Sequence, residues 1–247
     1  MYSQPRIAQE ASLRGYMGQR LQPGWSLDLT RLDPLTGLPW DLSCVQVQRR
    51  VLKMVEKDQP LFLIGSPPCT VFSNLQNLSR GKRDAAVVAE ELRIGRLHLE
   101  FCAKLYELQA KGGRFFVHEH PASATSWSEP SMVRVAALPG VEAATVDMCM
   151  YGMRVKDGDQ EGLARKTTRL MSNSNEVVKR MHSRCVNLDP NTTAADRHVH
   201  VPLVGGRARQ CQVYPRAFCR KLCEGIASEK RLMTRPNTHM TTSPEKR

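Results

Sequence analysis

A short apolar run that stops at a proline turn and is followed by a long helix sets the strongest limit on how this chain can fold. Leu61-Phe62-Leu63-Ile64 has the continuous apolar character of a central parallel strand. It stops at Gly65-Ser66-Pro67-Pro68-Cys69, where two prolines make the turn rigid. Asp84 to Lys111 then reads as one helix, with Val88, Leu92, Leu99, Leu105 and Leu108 at helical spacing. Asp84 is suited to cap its start and Gly112-Gly113 to end it. Arg114-Phe115-Phe116-Val117 opens the next strand, which ends at His118-Glu119-His120-Pro121. Ser131 to Leu138 reads as a short helix, and Val141 to Met148 and Arg169 to Ser172 as further strands. Strand and helix alternating in this way predict an α/β fold, with a mostly parallel sheet covered by helices on both faces. Functional groups in such folds lie beyond the carboxyl ends of the strands. Cys69 and Glu119 both fall at such ends.

The flanking segments are simpler to read. Trp25 to Leu29 is a short strand candidate after the Pro23-Gly24 turn, and Cys44 to Glu56 has helical spacing at Val47, Val51, Leu52 and Val55. Tyr214 to Ala227 reads as a helix, and Thr234 to Arg247 has the composition of a disordered tail. At 247 residues the chain suits one large domain with a small lobe. No apolar run approaches the roughly 18 residues of a membrane span. Met1 to Gln9 is polar, unlike a secretory signal. The eight cysteines are scattered and form no Cys-x-x-Cys pair. These features predict no membrane association and an intracellular protein, nuclear in a eukaryote and cytoplasmic otherwise.

Charge is unevenly distributed. The net charge is +12, with 36 Lys and Arg against 24 Asp and Glu. Residues 163–247 carry 17 of those basic residues and 6 of the acidic ones, so almost all the excess lies in the last third. A basic region of this kind suits a polyanion, most simply nucleic acid; a solvated basic surface is the alternative.

The sharpest motif is Gly65-Ser66-Pro67-Pro68-Cys69-Thr70-Val71-Phe72-Ser73. It resembles the nucleophile loop of DNA cytosine-C5 methyltransferases, which reads Gly-Pro-Pro-Cys-x-x-Phe-Ser. Short relatives associated with mobile elements share a Tyr-Ser-x-Pro-Arg start, seen here as Tyr2-Ser3-Gln4-Pro5-Arg6. The resemblance runs in order over residues 2–227 and implies a Rossmann-like S-adenosylmethionine-dependent fold with a small basic C-terminal lobe. It makes Cys69 the nucleophile. Phe116 to Pro121 resembles the family's Glu-Asn-Val strand end, so Glu119 would hold and protonate N3 of a flipped cytosine, although His and Pro replace Asn and Val. Arg165-Lys166-Thr167-Thr168-Arg169 stands where the family has Gln-x-Arg-x-Arg, which makes Arg169 the third catalytic residue. For the cofactor, the resemblance assigns Ser3, Pro5, Asp28, Asp41 and Pro67, with Asp28 on the ribose and Asp41 on the adenine amine. The family's opening Phe-x-Gly-x-Gly loop has no counterpart in Met1 to Arg6.

The partner implied is DNA, with RNA as the alternative. Candidate nucleic-acid contacts are Ser73, Arg165, Lys166, Lys179, Arg180, Arg184, Arg207 and Arg209. The division expected is a catalytic core over 1–174, a basic target-recognition-like segment over 175–212, a returning helix over 213–233 and a tail over 234–247. His182, Cys185, His198 and His200 cluster in the basic segment, but their spacing matches no established zinc pattern, so loop histidines are expected and no metal is assigned. A zinc deaminase is excluded, because it needs His-x-Glu ahead of Pro-Cys-x-x-Cys. A methyltransferase relic that only binds nucleic acid remains the non-enzymatic alternative.

Overall fold

The structure is a computed structural model that describes residues 1–2, 4–13, 15–74, 81 and 83–234. Its central sheet has the order β1-β2-β6-β3, with β1 Phe62–Gly65, β2 Phe115–Pro121, β3 Glu142–Asp147 and β6 Thr167–Ser172. The hairpin β4 Arg154–Asp157 and β5 Gln160–Leu163 forms a separate two-stranded sheet. Among the described residues the α-helices are α1 Arg6–Leu13, α2 Val45–Asp58, α3 Ala85–Lys111, α4 Pro130–Ala136, α5 Asn175–Met181 and α6 Arg216–Met233.

Side-chain alternation along β2 divides the molecule into layers. Phe116 enters a core with Val51 and Val55 of α2, Leu99, Phe101 and Leu105 of α3, and Met132 and Val135 of α4. Val117 enters the opposite core with Val177 and Val178 of α5 and Phe218, Leu222 and Ile226 of α6. Helices therefore cover both faces of the sheet. Each large core side chain removed from water contributes about 1.5–3 kcal/mol, so the two cores drive the layering.

The pairing corrects the expectation of a mostly parallel sheet. β1 and β2 are parallel, but β6 runs antiparallel to both of its neighbours, β2 and β3. The cause is local. After β3 the chain folds back through the β4–β5 hairpin, with Ala164 N donating to Met153 O at 2.8 Å and Met148 N to Lys166 O at 3.1 Å. β6 therefore begins beside the end of β3, with Thr167 opposite Asp147, and must run back. A parallel return needs a crossover of a dozen or more residues. β1, β2 and β3 still share one direction, so Cys69, Glu119 and the turn after Asp147 emerge at the same end of the sheet.

Trp25 to Leu29 is extended but forms no strand; Leu27 O accepts one bond from Tyr2 N at 2.8 Å. Asp84 caps α3, its Oδ1 accepting from Ala86 N at 2.7 Å and Val87 N at 3.3 Å. The expected helix over Tyr214 to Ala227 runs as α6. α5 lies within the expected target-recognition segment, yet it packs on the sheet and on α6. The expected tail from residue 235 on lies outside the described residues. Among the described residues, no helix is long and apolar enough to cross a membrane.

Candidate active site

β1 reaches Gly65, where no side chain fits, before the prolines end it. A Cβ on Gly65 would lie 2.1 Å from the Tyr106 hydroxyl, so glycine is what lets α3 close onto the strand. The following loop carries Pro67 buried, Pro68 exposed and Cys69 half-buried. Phe72 anchors its far side at 1% exposure, packed against α3 where Gly95 leaves room. The loop is therefore pinned on both sides of the thiol.

His120 holds it from below. Its Nε2 lies 3.0 Å from Pro67 O and its Nδ1 lies 2.6 Å from Ser126 Oγ. A carbonyl only accepts, so Nε2 carries the proton and Ser126 donates to Nδ1. Burial pushes the His120 pKa down, which favours this neutral form. His118, on the same face of β2, is fully buried and its pKa is driven well below the usual histidine range by desolvation. Its Nδ1 meets the Tyr106 hydroxyl at 3.0 Å.

Glu119 points to the opposite face and is 6% exposed. Its Oε2 accepts from the Tyr214 hydroxyl at 2.8 Å, and that hydroxyl lies 2.5 Å from Ser66 Oγ. With Tyr214 donating to the carboxylate, Ser66 donates to Tyr214. One tyrosine at the foot of α6 thus ties the carboxylate to the start of the proline loop. Glu119 Oε1 makes no hydrogen bond and faces Lys166 Nζ at 3.6 Å. Burial pushes the Cys69 thiol pKa up, Lys166 pulls it back and Glu119 adds to the rise. Burial also acts to lower the Lys166 ammonium, but Glu119, Cys69 and Cys211 outweigh it and the net direction is upward. Thiol, carboxylate and ammonium thus form one interacting group.

Lys166 corrects an expectation. Expected as a nucleic-acid contact, it is mostly buried, with a side chain 19% exposed beside Glu119. Arg169, expected in catalysis, is paired with His120 across the sheet and so shares its face, away from Glu119. Its guanidinium stacks over Trp127 at 4.7 Å. The strand alternation that turns Glu119 to one side turns Arg169 to the other.

The proposed cofactor residues are more dispersed. Asp28 Oδ1 accepts from Thr30 N and Oγ1, and Asp41 Oδ1 accepts from Ser43 N and Oγ. Each closes a local turn with one oxygen and has Oδ2 to offer a ligand. The Ser43 hydrogen bonds hold the Asp41 pKa below its usual value. Tyr2 and His98 meet nearby, with 3.2 Å between the Tyr2 hydroxyl and Nδ1. Ser3 lies outside the described residues. A cavity of about 780 Å³ opens beside β1, lined by Pro5, Trp25, Leu27, Phe62 and Ile226 among others. Of the assigned cofactor residues that the structure describes, it includes only Pro5; Asp28, Asp41 and Pro67 lie outside its lining.

The basic residues divide likewise. Arg165, Lys179 and Arg209 are exposed. Arg180, Arg184 and Arg207 face Glu176, Asp147 and Asp157 at 3.6, 2.9 and 2.7 Å. Ser73 is half-buried and its N–H closes the turn onto Thr70 O at 3.1 Å. Sequence reasoning missed Tyr214, Ser66 and the His120 clamp. Tyr214 stands 95 residues from Glu119, and no local spacing could have paired them.

No family model matches this chain, and no curated protein or solved structure matches it.

Proposed function

We propose that the chain transfers a methyl group to C5 of cytosine in DNA through a covalent adduct on Cys69. The observation that carries this reading is the grouping of Cys69, Glu119 and Lys166 at the carboxyl ends of the parallel strands β1 and β2. The Pro-Pro-Cys loop supplies the family resemblance. On this reading the sheet is a Rossmann-like methyltransferase sheet, with β6 as its antiparallel member.

The target cytosine is flipped from its stack to reach the thiol. The Cys69 thiolate adds to C6, and the electron pair of the C5–C6 double bond moves to C5. Glu119 delivers a proton to N3, and Tyr214 keeps its carboxyl group aimed. Lys166 stabilises the thiolate before attack. S-adenosylmethionine supplies the methyl group. Asp28 and Asp41 suit its ribose and adenine amine, each with Oδ2 free of its local turn. After transfer the C5 proton leaves to water, its electron pair re-forms the C5–C6 double bond as Cys69 departs as thiolate, and the N3 proton returns to Glu119.

A labelled-methyl assay on DNA and RNA tests this reading. Cys69→Ser should abolish transfer, and Glu119→Gln should slow it by about 10²–10⁴-fold, the usual range for a general acid. A Cys69→Ser protein with normal turnover would sink the assignment.

A further inference from the structure

At the same end of the sheet, outside this site, four metal-ligating side chains converge. Cys149 sits in the turn Met148–Tyr151 after β3, Cys185 follows α5, and His198 and His200 lie on an extended stretch beyond it. Their ligand atoms all lie within 4.8 Å of one another. Cys185 Sγ is 3.5 Å from His198 Nε2 and 3.6 Å from His200 Nε2. The two Nε2 atoms are 2.9 Å apart. A tetrahedral zinc ion with ordinary bond lengths spaces sulfur and nitrogen ligands by about 3.6 Å and two nitrogens by about 3.3 Å. The cluster already has nearly those dimensions. We propose that Cys149, Cys185, His198 and His200 form a structural zinc site.

The surroundings support a closed, structural role. His198 and His200 are two apart on extended backbone, which puts both rings on one side. Asn187 clamps the first, donating from Nδ2 to His198 O at 2.6 Å and accepting His198 N at 3.1 Å. Val201 N donates to Leu163 O at 2.8 Å, tying the second to the β4–β5 hairpin. Asp147, fully buried, accepts from Cys185 N at 2.9 Å and fixes that ligand's backbone. Cys149 and Cys185 are both buried and both free thiols.

The chain around the cluster needs such a staple. No residue from Val186 to Gln210 is buried, and the only helical pieces there are short 3-10 turns. Connections longer than about 12–15 residues without their own structure are uncommon in compact domains. This one lends the core only the partly buried Val201 and Leu203, so the four ligands supply most of what burial does not. Two of them come from the sheet side and two from the segment, and the ion would pin the segment beside Cys211 and Lys166. Binding of zinc turns both thiols into thiolates and releases two protons. His182 is exposed and stands outside the cluster. The tetrahedral set of two sulfurs and two nitrogens selects zinc.

The test is the metal content of the full chain, purified without chelator, by mass spectrometry of the ion. The expected result is one zinc per chain, retained in His182→Ala and lost in Cys185→Ser and in His198→Ala. Cobalt(II) in its place should give the visible bands of a tetrahedral thiolate site. Should the variants fail to fold, the wild-type protein still decides. Chelation should open trypsin sites at Arg197, Arg207 and Arg209 while α3 and the sheet stay intact. Chain without stoichiometric zinc and without the cobalt spectrum would overturn the proposal. So would a Cys149–Cys185 disulfide in the protein as isolated, or zinc that survives both ligand substitutions.

Discussion

A buried ammonium 3.6 Å from a buried carboxylate and close to a thiol acts on both. Lys166 favours the Cys69 thiolate, so removing its charge should raise the pKa of that thiol. The check is the pH dependence of Cys69 alkylation in Lys166→Met against wild type; an unchanged profile contradicts the grouping. Tyr214 donates to Glu119 and receives from Ser66, so Tyr214→Phe leaves the carboxylate short of one partner. Losing a hydrogen bond to a charged group costs about 1.5–3 kcal/mol, which predicts turnover lower by about tenfold to a hundredfold, read by steady-state kinetics. The buried histidines add a pH signature. His118 and His120 are held neutral in the fold, with pKa values below the ordinary 6.5. Below that value the unfolded chain takes up protons that the folded chain refuses. The stability they contribute is complete above about pH 6.5 and is lost as pH falls toward the folded values, at about 1.4 kcal/mol per pH unit for each. Urea titrations between pH 7 and 5 should show this slope, and His118→Gln should flatten it.

Elements were legible where their pattern was local. The capped α3, the apolar β1 and the strand end at Glu119 follow from spacing and turn chemistry alone, as does the helix returning after Tyr214. The direction of β6 was not legible, because it depends on a hairpin over residues 154–163 whose strands are short and mostly exposed. The side of the sheet taken by Arg169 was hidden for the same reason: it follows from pairing with β2, not from the motif. Cys69 and Glu119 stood out in the sequence, but Lys166 was one of several basic nucleic-acid candidates until the fold enclosed it beside Glu119. Cys149 joined His198 and His200 only through tertiary structure. The contact between α3 and the proline loop can be probed by substitution. A Cβ at Gly95 would lie 2.6 Å from Val71 Cγ2 and 3.0 Å from Phe72 Cε2. Gly95→Ala should therefore destabilise the fold by about 1–3 kcal/mol. Gly24→Ala, with open space at its Cβ, should leave the melting temperature nearly unchanged.

Over the whole molecule, the thiol, the carboxylate and the buried ammonium meet at one end of the sheet. The sheet delivers Cys69 and Glu119 there, and the basic last third returns to that end through Lys166, Cys211 and Tyr214. Arg165 and Arg209 are exposed in the chain flanking these residues. This arrangement suits a polyanion presenting one base to the thiol, and binding carried by such contacts weakens steeply with salt. The most direct measurement is covalent trapping. The full chain is incubated with S-adenosylmethionine and either DNA or RNA containing 5-fluorocytosine, and denatured samples are examined for a protein–nucleic-acid adduct. The account predicts an adduct with DNA that depends on S-adenosylmethionine and disappears in Cys69→Ser. An adduct with RNA alone would change the substrate. Tight nucleic-acid binding with no adduct on either polymer would contradict the catalytic reading and leave a binding protein.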